Sequence, residues 1–368
     1  MEKNVTVPYV HLEIGESNYK SELLAAVDRV LSHGKYILGP EVELFEKRFA
    51  EYCGAKYALG VDNGTNAIIL SLLALGIGPG DEVITAPNSF LASASSVALV
   101  GGRPVFADVK DDLNIDPEKI EAAITPRTKA IIPVHLTGRP ADMDAILEIA
   151  ERRGLAVIED CAQAVGAKYK GQPVGSFGVT GCFSLHPLKN LNAAGDGGVI
   201  TTNDKNVYDY LIKARNHGLR NRDECEFWSY NSRLDTIQAA MLLVKMEYLA
   251  EWIKNRRSNA QFYKNQLEKV VKCPFDLPDE FSVYHTFIIQ AERRDQLQAH
   301  LESKGVGSKI HYPIPIHLQK AAEKLGYGIG SLPVAETQAE RILSLPIYPE
   351  LSQEQRNHVA SSVLEFYN

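Results

Sequence analysis

From about residue 16 to residue 250, short apolar runs alternate with amphipathic stretches. Within Glu16–Ser32, Leu23, Leu24, Val27, Val30 and Leu31 recur at helical spacing and predict one apolar helix face. Tyr57–Val61 reads as a short buried strand, followed at once by Asp62-Asn63-Gly64-Thr65 and a helical run to Leu75. A glycine-rich turn, Gly76–Asp81, leads to the strand Glu82–Ala86, and Pro104–Val109 is the next. Asp116-Pro117 offers an N-cap and an N1 proline to the helix Glu118–Ile124. Lys129–His135 and Leu155–Asp160 are strands around the helix Ala141–Arg153, and Cys182–Leu185 and Gly198–Thr202 are two more. Such alternation predicts an α/β fold, a mostly parallel sheet with helices on both faces. Ligands in that architecture sit at the carboxyl ends of the strands.

After about Glu251 the texture changes. A long helix, Leu234–Leu267, leads into a strand, Phe281–Gln290, a helix, Arg294–Lys304, and an end rich in proline. The division predicted is a large α/β domain over residues 1–250 and a smaller α+β domain over 251–368.

Composition narrows the class. With 368 residues, 45% hydrophobic and 23% charged, the chain has globular proportions and can bury a core without disulfides. Its five cysteines, Cys53, Cys161, Cys182, Cys225 and Cys273, show no CxxC or metal-like spacing, which suits a reducing cytoplasm. The start at Met1–Val7 lacks an apolar leader, and the longest apolar stretch, Ala67–Leu75, is too short to span a membrane. A net charge of −7 without a basic run argues against a nucleic-acid partner.

Three places carry candidate chemistry. In Leu155–Asp160 an apolar run ends in two carboxylates, so Asp160 is half-buried at a strand end and needs a partner. It reads either as a turn or cap residue or as an anion aimed at a protonated ring nitrogen. Lys189 follows a strand and Pro187, lies between Leu188 and Leu191, and precedes Gly195-Asp196-Gly197-Gly198. A loop lysine is ordinarily a solvated charge, but a partly desolvated one loses its proton more easily and can form a Schiff base. Gly64-Thr65 opens a helix directly after a strand, where Asn63 or Thr65 serves as a simple cap or free N–H groups bind a phosphate. Together these supply an anion, an amine and phosphate donors. No metal-ligand set, GxSxG or P-loop competes with them.

Several longer motifs, in order, make a resemblance specific: Tyr36-Ile37-Leu38-Gly39-Pro40, Asn63-Gly64-Thr65-Asn66-Ala67, Gly78–Val83, Glu159-Asp160-Cys161-Ala162-Gln163, Gly195–Gly198 and Leu345-Pro346-Ile347-Tyr348-Pro349. Over nearly its whole length the chain resembles the DegT/DnrJ/EryC1/StrS family of nucleotide-sugar aminotransferases, fold type I enzymes that use pyridoxal 5′-phosphate (PLP). The resemblance implies a seven-stranded, mostly parallel sheet in the large domain and a homodimer with shared active sites. Lys189 would be the Schiff-base lysine and proton carrier, and Asp160 the partner of the pyridinium nitrogen. Gln163 would lie near the phenolic oxygen and Phe90 would stack on the ring, although core packing explains Phe90 equally well. Gly64, Thr65 and Ser184 resemble phosphate ligands, and Asn231 the asparagine that reaches the phosphate of a partner subunit.

The activity implied is transfer of an amino group from glutamate or glutamine to a keto-sugar nucleotide, in amino-sugar, polysaccharide or glycoside biosynthesis. The Asp form of Gly195–Gly198 favours C3 of a dTDP-linked 3-keto-6-deoxyhexose. Tyr36, His186, His217, Tyr312 and His317 are candidate substrate contacts, each with a structural alternative. His186 stands where many C3 enzymes carry an aromatic. Two rivals remain: a dehydratase of the same family, which would replace Lys189 by histidine, and a non-catalytic regulator, which would be expected to lose Lys189 or Asp160.

Overall fold

In the computed structural model, which describes residues 6–368, two helices precede the first strand, α1 (Asn18–His33) and α2 (Pro40–Cys53). Ser17 caps α1 by accepting from the Lys20 N–H. The buried stripe of α1 is Leu23, Ala26 and Val30, whereas Leu24 and Leu31 are exposed. One residue step turns a helix by about 100°, so these two leucines lie beside the stripe rather than on it. α2 is absent from the predicted elements, although Pro40 in its first turn and Val42, Phe45 and Phe49 at helical spacing mark it.

The sheet region then runs β1 (Tyr57–Val61), α3 (Gly64–Ala74), β2 (Glu82–Thr85), α4 (Ala92–Leu99), β3 (Arg103–Phe106), α5 (Pro117–Ala123), β4 (Thr128–Ile132), α6 (Met143–Arg153) and β5 (Ala156–Asp160). A small hairpin, β6 (Lys168–Tyr169) and β7 (Gln172–Pro173), leads to β8 (Thr180–Ser184), β9 (Gly198–Thr202) and α7 (Lys205–Ala214). Seven strands form one sheet in the order β1-β9-β8-β5-β4-β2-β3. Only β9 runs antiparallel to its neighbours β1 and β8. The mostly parallel sheet expected from the alternation is therefore present.

The rest comprises α8 (Thr236–Leu267), β10 (Glu280–Phe281), β11 (Phe287–Gln290), α9 (Arg294–Ser303), α10 (Pro333–Arg341), β12 (Ile342–Leu345) and α11 (Gln353–Tyr367). The single strand predicted over Phe281–Gln290 is thus two, in different sheets. Between them the backbone breaks at Tyr284, with φ of 47°. There Val283 donates its N–H to Gly138 O at 2.9 Å instead of continuing a ladder.

The apolar cores divide α8 between them. Ala239, Leu242, Leu249 and Ile253 pack with α2 and the sheet, while Ala260, Tyr263 and Leu267 pack with α9, α11, β11 and β12. Val7 joins the second core and bonds to Gly305 and Gly307, so the N-terminal segment packs with the C-terminal part rather than with the large sheet. Among the described residues no helix is long and apolar enough to cross a membrane.

Two close approaches set the cofactor end of the sheet. A Cβ on Gly198 would lie 2.5 Å from the Asn63 carbonyl, and one on Gly64 would lie 2.8 Å from Ser184 Cβ. Both positions must be glycine for the start of α3 to rest on β8 and β9.

Glu159, fully buried, anchors the turn before β8. Its carboxylate accepts from the N–H groups of Gly175, Phe177 and Gly178 at 2.7–2.8 Å and contacts His135 Nε2 at 3.0 Å. His135 Nδ1 accepts from the Ala141 N–H, so Nε2 carries the proton and donates to Glu159. His135, Glu159 and Cys161 stand close enough to suggest a metal site. The His135 and Glu159 atoms are engaged with each other and with backbone N–H groups, and burial, then the Glu159 charge, raises the Cys161 thiol well above its usual range. Glu159→Ala would strand three backbone donors and a histidine. At about 1–3 kcal/mol for each stranded group, the expected loss of stability exceeds ~3 kcal/mol. Denaturant unfolding measures it, and a loss below about 1 kcal/mol would sink this account.

Candidate active site

At the carboxyl ends of β5 and β8 a cavity of about 1300 Å³ opens between the sheet, α8, the N-terminal segment and the loops around His285 and His311. Gly64, Thr65, Phe90, Asp160, Gln163, Ser184, His186, Lys189 and Tyr312 all line it.

Asp160 ends β5 and is 5% exposed. Ser93 Oγ donates to Oδ2 at 2.7 Å and the Ala162 N–H to Oδ1 at 3.1 Å, which fixes the carboxylate plane. Gln163 is oriented too: the Thr137 N–H donates to its Oε1 at 2.7 Å, leaving the amide NH2 for the cavity. Asn63 caps α3 by accepting from the Asn66 N–H at 2.8 Å. Among the described residues, the N–H groups of Gly64 and Thr65 meet no acceptor, so a helix start with free donors opens on the cavity.

Lys189 sits in the loop between β8 and β9, shaped by Lys189 N–H to His186 O at 2.8 Å and Ala193 N–H to Leu185 O at 2.7 Å. Burial lowers its ammonium to about 8, partly offset by the Asp160 charge. Phe90 is half-exposed, with its ring 5.9 Å from that of Tyr312.

Four predicted contacts lie elsewhere. His317 is 1% exposed, pairs through Nε2 with Glu336 at 3.0 Å and packs beside Phe106 and Tyr327. That burial keeps it from any substrate in the cavity. Tyr36, His217 and Asn231 are exposed and outside the cavity of their own chain.

The structure adds residues that the sequence reading did not single out. His285 and His311 line the cavity, and burial, then the Lys189 charge, lowers both imidazoles, His311 to about 4. Both are therefore neutral near pH 7. His311 adjoins Tyr312, a local hint, whereas His285 has none. Arg256 and Lys245, both from α8, also reach the wall.

An amine, a fixed carboxylate, an oriented amide and a phosphate-ready helix start are what PLP requires of a protein. The donor set fits that cofactor.

The chain matches the model of the DegT/DnrJ/EryC1/StrS aminotransferase family over residues 17–364. It is 44% identical to a Geobacillus stearothermophilus protein named "pleiotropic regulatory protein", covering 99% of each chain. It is 42% identical to dTDP-3-amino-3,4,6-trideoxy-alpha-D-glucose transaminase of Streptomyces venezuelae, covering 98% of this chain and 96% of that one. Identity is 44% to an Acidithiobacillus ferrooxidans UDP-N-acetyl-3-dehydro-alpha-D-glucosamine 3-aminotransferase, covering 99% and 98%. Among solved structures, S. venezuelae DesV in complex with a ketimine intermediate superposes with a TM-score of 0.96 at 42% identity, over 98% of both chains. The chain belongs to the DegT/DnrJ/EryC1/StrS aminotransferase family, whose members use PLP.

Proposed function

We propose that this enzyme moves an amino group from glutamate or glutamine to C3 of a nucleotide-linked keto-sugar, with a dTDP-linked 3-keto-6-deoxyhexose as the first candidate. The observation that carries the reading is the meeting of Lys189, Asp160 and the open start of α3 in one cavity. The names of the Streptomyces and Acidithiobacillus relatives both specify position 3 and differ in nucleotide, which supports the position more than the base.

When bound, PLP supplies an aldehyde for the amine and an electron-accepting ring. Asp160 would offer its fixed anion to the ring nitrogen. The Gly64 and Thr65 N–H groups and the Ser184 hydroxyl would hold the phosphate, the Gln163 amide would serve the ring oxygen, and Phe90 would lie against the ring. Lys189 Nζ would take and return the proton at the reacting carbon.

Asn231, His217 and Tyr36 serve a neighbouring cavity in this reading. Their exposure, beside the exposed Ile37, Leu38, Trp228 and Tyr230, supports a homodimer with shared sites. The five free cysteines fit a cytoplasmic location.

Reverse transamination of a panel of amino-sugar nucleotides with 2-oxoglutarate tests the function, and failure with every 3-amino sugar nucleotide would overturn it. The same assay, run beside absorbance of the PLP-loaded protein, separates an enzyme from the regulator that the Geobacillus relative's name suggests. Lys189→Ala should lower turnover by about 10²–10⁴-fold or more, since it removes the proton carrier.

Lys189 titrates near 8 rather than at the ordinary 10.5, so its neutral amine should accumulate as pH rises through about 8. Covalent uptake of PLP by the apoprotein should climb through that pH and level off above it. A rise continuing to the ordinary lysine range would contradict the burial argument.

Ser93→Ala removes a hydrogen bond to a buried carboxylate, a contact of about 1.5–3 kcal/mol. A fall in kcat/KM of about tenfold or more is expected, and an unchanged kcat/KM would show that Ser93 does not hold Asp160 in the working enzyme.

A further inference from the structure

The limb of the loop that returns from Lys189 to β9 alternates between two supports. Ala193 turns its N–H to the carbonyl of Leu185, just past β8, at 2.7 Å. On either side of it, Asn192 and Ala194 bond to α8 instead, Ala194 to Gln238 at 2.7 Å and Asn192 to Lys245. Gln238 and Lys245 are seven residues apart, hence on one helix face and about 10 Å apart along its axis.

Lys245 is a costly support. It is 4% exposed, and among the described residues its ammonium meets no carboxylate. Its Nζ donates to the backbone oxygen of Asn192 at 2.8 Å and to Oδ1 of the same residue at 2.6 Å, both neutral acceptors. Burial lowers the ammonium to about 8, with no opposing charge to offset the effect. A buried ammonium facing neutral oxygens alone is unfavourable, and a methionine would fill the same space without that cost. Packing therefore does not account for a lysine here.

What the ammonium does is orient one amide. With Oδ1 of Asn192 taken by Lys245, the amide NH2 is turned to the Lys189 carbonyl, which it reaches at 3.0 Å. The Lys189 N–H donates to His186 O at 2.8 Å. The peptide groups on both sides of the Lys189 Cα are thus held, and its side chain leaves in a set direction. Asn192 is only partly buried, so without Lys245 its amide is free to turn to solvent and release Lys189 O.

We propose that Lys245 is a positioning residue for Lys189, acting through the Asn192 amide to aim the Lys189 amine at the cofactor. The inference rests on the reading of Lys189 as the amine that bonds PLP. A displacement of about 1 Å at a reacting atom costs on the order of 10²-fold in rate, so a lost aim is measurable even where binding survives.

The test separates aim from binding. PLP must join its aldehyde to the Lys189 amine with loss of water, whereas pyridoxamine phosphate presents a similar ring and phosphate without that bond. In Lys245→Met apoprotein, covalent PLP uptake, fixed with borohydride and followed by mass, should slow about tenfold or more, with the Kd for pyridoxamine phosphate changed by less than about twofold. In the loaded enzyme kcat should fall and KM for the keto-sugar nucleotide should hold. Lys245→Arg can still donate to both oxygens and should restore most of the uptake rate. Asn192→Ala should reproduce the loss, and both changes together should cost no more than either alone, because the pair acts as one unit.

Unchanged PLP uptake in Lys245→Met, or pyridoxamine phosphate binding weakened as much as uptake is slowed, would overturn the assignment. Losses that add in the double variant count against it equally. If Lys245→Met does not fold, the partly exposed Asn192→Ala decides by the same two measurements. If borohydride fixes no PLP on Lys189 of the unsubstituted protein, the reading of Lys189 falls and the role of Lys245 with it. PLP fixed on Lys189 at equal rates in all variants removes only the role of Lys245.

Discussion

Two carboxylates stand side by side at the end of β5, and much of the site follows from how each is buried. Successive side chains of a strand point to opposite faces of the sheet, so Glu159 and Asp160 cannot share an environment. Glu159 turns to the side of the β7–β8 turn, where three backbone N–H groups and His135 surround it. Asp160 turns to the cavity, where Ser93 and one N–H hold it and the rest of its charge faces the ligand space. Slipping β5 by one residue would exchange the two and leave a structural anchor without its donors and a cavity without its anion. Register at this strand is therefore a functional constraint as much as a folding one.

The other reactive parts are fixed against the same strand end by contact rather than by their own sequence preferences. β8, beside β5, presses its end at Ser184 against Gly64, and β9 presses Gly198 against Asn63. From the far side, α8 grips the returning limb of the Lys189 loop. Gln238 exchanges hydrogen bonds with the Ala194 N–H and carbonyl, and Lys245 holds Asn192, whose amide donates to Lys189 O at 3.0 Å. The Lys189 backbone is thus tied both to the sheet and to the long helix. In the proposed reaction, a lysine that releases and recovers a proton at one atom benefits from a backbone held at two sides.

These physical ties explain what the sequence made legible. Asp160, Lys189 and Gly64-Thr65 are each readable because a local pattern places them: an apolar strand running into an acid, a strand and glycine-rich return around a lysine, a strand turning at once into a helix. The seven strands are readable for the same reason. His285, Arg256 and Lys245 carry no such pattern, since they reach the cavity only when α8 and the Val283 crossing are folded against the sheet. His317 shows the converse. It sits in a proline-rich stretch that reads as a loop, yet Phe106, far away in sequence, closes over it together with Tyr327 and Glu336. The Phe281–Gln290 run failed as one strand because apolar composition does not reveal the left-handed backbone at Tyr284.

The cavity therefore draws its parts from two sources with different physical demands. Its floor, built on β5, β8 and α3, is set by ladder register and by glycines that admit close packing, and it supplies the groups a PLP reaction needs. Its walls come from segments whose positions depend on one another. Arg256, for example, donates to the carbonyls of Tyr284, His285 and Ile347, tying α8 to two separate wall segments through one guanidinium. Burial lowers that guanidinium to about 10, with Glu350 partly offsetting the effect, so its charge is retained near neutrality and spread over three carbonyl dipoles. A change in one wall segment is felt by the others through this shared donor, while the floor keeps its own hydrogen bonds. The separation is not complete, because α8 also holds the Lys189 loop through Gln238 and Lys245, so a change along that wall reaches the lysine while Asp160 keeps its own partners on the sheet side.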